Sequence, residues 1–151
     1  MEEGFRERNA EKMLKSLASP IQFVYTARHD LKANNILEEA IVFAYTHKSA
    51  DVIGIDDERV TELLDFADEK KLRAAGDPLP SELHSGAFRV YRGEADPERN
   101  GRGLSWTPDF SNARFYAERQ THNPLTDVEN PVPVVFRMEI TVDQILFYNK
   151  D

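Results

Sequence analysis

Gly76-Asp77-Pro78-Leu79-Pro80 separates two kinds of hydrophobic pattern, and this change of period limits the fold more than any other feature of the chain. Before it, apolar residues recur at intervals of three and four, the spacing of one face of an α-helix. After it come short apolar runs bounded by glycine and proline, the pattern of strands and turns. Two prolines so close favour an extended connection. The chain therefore reads as α+β: a helical N-terminal lobe over 1–83 packed on a small, mainly antiparallel β core over 84–151. A length of 151 residues suits a single compact domain able to bury its own core.

Three stripes define the helical part. Ala10, Met13, Leu14 and Leu17 predict an amphipathic helix ending near Ser19-Pro20. Leu37, Ala40, Ile41 and Ala44 predict a second, beginning after Asp30 as N-cap. Val60, Leu63, Leu64 and Ala67 predict a third, from the acidic start Asp56-Asp57-Glu58 to a stop at Gly76. Stripes of this kind are the packing faces of helices that share a core. The apolar run 21–25 fits either a short strand or a helical continuation.

In the second half, Phe88, Val90 and Tyr91 predict a strand, with Gly93 turning the chain away and leaving the Arg92 guanidinium at the strand end. Arg89, three positions earlier, faces the other side of a regular pleat. The polar loop 94–103 holds Arg99 and Arg102, read as solvated, and has the composition of a loop lying over a cleft. A second strand follows, with Ser105 and Thr107 on one face and Trp106 on the other. Trp106 suits either core packing or stacking on an aromatic ligand. Thr107-Pro108 has the form of an N-cap and first helical position, and Phe110, Ala113 and Ala117 supply the apolar face of the helix it starts. The runs 132–140 and 145–148 predict two further strands.

Charge narrows the function classes. The net charge is −8; residues 1–83 carry 11 basic and 17 acidic side chains, whereas 84–151 carry 8 and 10. Seven of those eight basic residues are arginine, the side chain suited to forked recognition of phosphate or carboxylate. An overall negative field opposes direct binding to a nucleic-acid backbone and leaves a small anionic ligand in a local arginine pocket as the fitting class. Without cysteine there is no disulfide framework and no thiol nucleophile, and the histidines lack metal-ligand spacing. The expectation is a cytoplasmic protein with no membrane association and no metal.

Val90-Tyr91-Arg92-Gly93, Leu104-Ser105-Trp106-Thr107 and the helical stretch 113–117, in this order, resemble the ADP-ribosyltransferase superfamily in its arginine-serine-glutamate branch. The resemblance spans about sixty residues and implies an ADP-ribosyltransferase-like split β core with NAD as substrate, no metal, and a protein target or partner. It implies that Tyr91, Arg92, Gly93, Ser105, Trp106 and Thr107 line the NAD site, with Arg92 neutralising the pyrophosphate. Transfer of ADP-ribose breaks a glycosidic bond through an oxocarbenium-like state, which a carboxylate stabilises. The family places that glutamate after a segment similar to 143–148, and no matching residue is found before Asp151. Glu139, Asp143 and Asp151 are the substitutes at hand, each more simply read as a charge at a strand end. Two main readings follow: an NAD-binding, ADP-ribosyltransferase-like protein with an unknown acceptor, and a catalytically inactive binding or inhibitor protein on the same fold that uses its acidic helical face to contact a macromolecular partner. A third is a fragment that lacks the final motif.

Overall fold

The helical stripes close on one another in the structure, a computed structural model that describes residues 19–47, 56–99, 103–124 and 128–150. These residues form an α+β fold of six α-helices and one two-stranded antiparallel sheet. The helices are α1 (Pro20–Thr26), α2 (Arg28–Ala33), α3 (Leu37–His47), α4 (Asp57–Phe66), α5 (Glu69–Ala75) and α6 (Phe110–Thr121); the strands are β1 (Phe88–Glu94) and β2 (Val134–Ile140). The helix expected over residues 10–17 lies outside the described residues. The chain divides into two compact units, one of Met1–Leu79 with Ile145–Asp151 and the other of Pro80–Gln144. The boundary thus falls at the proline pair, slightly before residue 84, and the last residues join the first unit.

In the first unit, Leu37, Ala40, Ile41 and Ala44 of α3 are all buried, together with Leu31, Ile36, Val60, Leu63 and Leu72. The run 21–25 is helical: Ile21 and Val24, three apart, are buried, and Pro20 opens α1, where its missing N–H costs no hydrogen bond. Asp30 does not cap α3; it lies inside α2. The reason is the turn after α2, where Asn35 takes a left-handed φ of 57° and the N–H groups of Asn35 and Ile36 return to the carbonyls of Lys32 and Leu31 at 3.1 and 3.0 Å. This closes one helix and lets another begin at Leu37, and asparagine tolerates that backbone region better than most residues.

The third predicted helix is two. Asp56 caps α4 by accepting from the Arg59 N–H at 2.8 Å, but the backbone becomes extended at Ala67. Asp68 then caps α5 through the Lys71 N–H at 3.0 Å, and α5 is the helix that stops at Gly76. Glu38, only 5% exposed, reaches across from α3 to accept the Asp68 N–H at 2.9 Å, so a buried carboxylate fixes the break.

The run 145–148 is not a strand. Its backbone is tied to the end of α5 instead: Arg73 Nε donates to the Ile145 carbonyl at 2.9 Å, the Asp77 N–H to the Tyr148 carbonyl at 2.7 Å, and the Lys150 N–H to Asp77 Oδ2 at 3.0 Å. Phe147 meets the Tyr45 ring edge-on at 5.8 Å between centroids. Gly76 makes room for this segment, because a Cβ there would lie 2.8 Å from the Tyr148 carbonyl oxygen.

In the second unit, β1 and β2 pair antiparallel from Phe88 opposite Ile140 to Glu94 opposite Val134. Ala113 and Ala117 of α6 are buried, and Gly93 lies beneath them. A Cβ on Gly93 would overlap the Ala113 carbonyl oxygen and come within 2.7 Å of the Ala117 nitrogen. Gly93 therefore does not turn the chain away; it sits inside the strand and lets the helix backbone approach.

The strand expected around Ser105 reduces to a single bridge between Tyr91 and Thr107, with N–H···O distances of 2.7 and 2.9 Å. The helix cap also moves. Asp109, not Thr107, accepts from the Ser111 N–H at 2.8 Å and opens α6, while Thr107 Oγ1 accepts the Asp109 N–H at 3.1 Å. A carboxylate at a helix N-terminus gains from the helix dipole, which the threonine hydroxyl two residues earlier does not.

Candidate functional site

Three consecutive residues of β1 gather the segments around them. Tyr91 pairs with Thr107, Arg92 Nη1 donates to the Ser105 carbonyl at 2.8 Å, and Gly93 lies under α6. The Tyr91 ring also meets Phe110 edge-on at 5.5 Å, so the first turn of α6 is held against the strand although Phe110 itself is half exposed. Strand alternation explains the division of labour: Tyr91 and Gly93 address the helix, whereas Arg92 points to the other face.

Arg92 is held on several sides. Its Nε donates to Glu94 Oε1 at 2.5 Å, and its side chain is 18% exposed against 3% for Glu94. Glu94 is two residues along the strand and so shares a face with Arg92. Gly103 is buried against the guanidinium, and a Cβ there would fall among Cζ, Nη2 and Nε. Trp106 is half-buried and donates its indole N–H to the Gly103 carbonyl at 2.9 Å, which fixes the segment lying on Arg92. Among the described residues, Glu94 Oε2 is buried with no hydrogen-bond partner. A buried carboxylate oxygen in that condition is uncommon, because the group has lost its water without full replacement.

Arg92 and the 103–107 segment are thus in contact, and Ser105 takes part through its main-chain oxygen while its side chain is exposed. Gly93 is covered by α6. The two described acidic candidates, Glu139 and Asp143, lie elsewhere. Glu139 stands opposite Arg89 in the register, 3.8 Å from its Nε, with both side chains exposed. Arg92 is opposite Phe136, three positions along β2 from Glu139, or about 10 Å at the usual rise of a strand. Asp143 accepts from the Thr141 hydroxyl in a single-turn 3-10 helix, Val142–Gln144. Asp151 and Arg102 lie outside the described residues.

Sequence reasoning passed over Glu94. Its signal is the two-residue spacing from Arg92, which places a carboxylate beside the guanidinium when the strand continues, but a strand ending at Arg92 hides that relation. Among the described residues, no group of histidine and acidic side chains is arranged to hold a metal ion, and no helix is long and apolar enough to cross a membrane. Comparison of the chain with protein-family models, with curated proteins and with solved structures finds no match.

Proposed function

We propose that the second unit is an ADP-ribosyltransferase-like module that binds NAD, with Arg92 donating to the pyrophosphate. The observation that carries this reading is the convergence on Tyr91, Arg92 and Gly93 of the three motifs that bear the resemblance: strand, 103–107 segment and helix. Binding is better supported than transfer, because Glu139 and Asp143 are engaged away from Arg92. Arg92 donates to the dinucleotide, and Trp106 and Gly103 hold the segment that covers the guanidinium.

The neutral Arg92–Glu94 pair favours a second reading, an inactive protein on the same fold in which Arg92 braces the 103–107 segment and a partner meets the acidic helices. Calorimetric titration of NAD into the full chain separates the two, with an Arg92→Ala/Glu94→Ala double variant beside it. Removing both charges together avoids stranding a buried carboxylate. Saturable binding weakened at least about tenfold in the double variant supports the NAD module, a loss of roughly 1.4 kcal/mol. No binding by the unaltered chain rejects it in favour of the bracing role.

A further inference from the structure

Arg92 and Glu94 form an ion pair on one face of β1. An arginine meant for a free anion is best left with an open pair of donors, yet Arg92 already spends its Nε on Glu94 and its Nη1 on Ser105, with Gly103 against the rest of the guanidinium. The pair carries no net charge, so it offers a bare anion little long-range attraction. Glu94 is also far more deeply buried than its partner and leaves Oε2 without a hydrogen bond. A ligand that drew Arg92 away would expose two needs together: an acceptor for the guanidinium and a donor for the abandoned carboxylate. Leaving that carboxylate buried and unpaired is strongly unfavourable.

Resting on the reading of Arg92 as an anion-binding group, we infer that Glu94 is a specificity-determining residue which makes the site select an anion carrying its own hydroxyl donors, a ribose-linked phosphate, over a bare one. The phosphate oxygens take the guanidinium, and a ribose hydroxyl donates to the Glu94 carboxylate. Two complementary polar groups discriminate more sharply than one charge, because a ligand lacking the hydroxyl leaves the carboxylate unsatisfied.

The test compares NAD with inorganic pyrophosphate by calorimetry on the full chain and on Glu94→Gln, which keeps the shape of the side chain and removes its charge. The unaltered chain should prefer NAD by at least about tenfold, and Glu94→Gln should strengthen pyrophosphate binding by about tenfold while narrowing that preference. Glu94→Asp, which withdraws the carboxylate by one methylene, should move pyrophosphate in the same direction by a smaller factor and serves if the glutamine variant does not fold. An unchanged ratio, or weaker pyrophosphate binding in both variants, overturns the role of Glu94 while NAD binding by the unaltered chain keeps the site itself. If neither ligand binds any of the three proteins, the site and the inference fall together.

Discussion

The Tyr25 hydroxyl donates to Glu62 Oε2 over 2.5 Å, and the Arg28 and Arg59 guanidinium carbons lie 4.4 and 5.8 Å from the centre of its ring. That hydrogen bond, then burial, then the Glu62 charge raise the phenol pKa above its ordinary 10.0, and the two arginines oppose the change. The folded chain therefore keeps a proton that the unfolded chain gives up. The associated stability is fully present below pH 10.0 and is lost as pH rises through the raised folded value. Tyr25→Phe should remove this alkaline loss, so that urea midpoints of variant and parent respond differently above pH 10.0; parallel curves would count against the Glu62 bond. Neither partner was legible in sequence, because Tyr25 and Glu62 are 37 positions apart and belong to different helices. Arg92 was legible as a singular residue, but its nearest partner was not, since the predicted strand ends at Arg92 and the observed one runs on to Glu94.

Between elements, the contact of α6 with β1 depends on a missing side chain. Gly93→Ala would force a methyl group into the Ala113 carbonyl, a backbone atom that cannot swing aside. It should destabilise the second unit by about 3 kcal/mol or more, the upper range for overpacking, read from urea unfolding. A loss below about 1 kcal/mol would mean that the helix does not approach so closely. The stripes of α3 and α4 were readable because burial imposes a period on the sequence, and Leu37, Ala40, Ile41 and Ala44 follow it. Breaks were harder to read. The αL turn at Asn35 depends on local hydrogen bonds, and the restart at Asp68 on its own cap together with Glu38 from α3; these outweigh a continuous apolar pattern. The expected strand 145–148 failed for another reason: its apolar residues had the composition of a strand, but their backbone found Arg73 and Asp77 instead of a sheet edge.

On the scale of the whole chain, the second unit is an insertion, entered after Leu79 and left before Ile145. Deleting residues 145–151 would remove the Phe147 contact with Tyr45 and the hydrogen bonds to Arg73 and Asp77. At about 1 kcal/mol for each of those three bonds, the first unit should lose about 3 kcal/mol, with the ring contact adding to it. Hydrogen exchange checks where the loss falls: amides of α3 and α5 should lose protection while those of β1 and β2 keep theirs, and an even loss would show that the two units do not unfold separately. The return of 145–150 to the first unit also sets an order in time. As the ribosome delivers the chain from its amino end, α3 and α5 emerge early but wait for their closing segment until every residue of the inserted unit has been made. The inserted unit has all of its own chain before the helical core receives its closing segment.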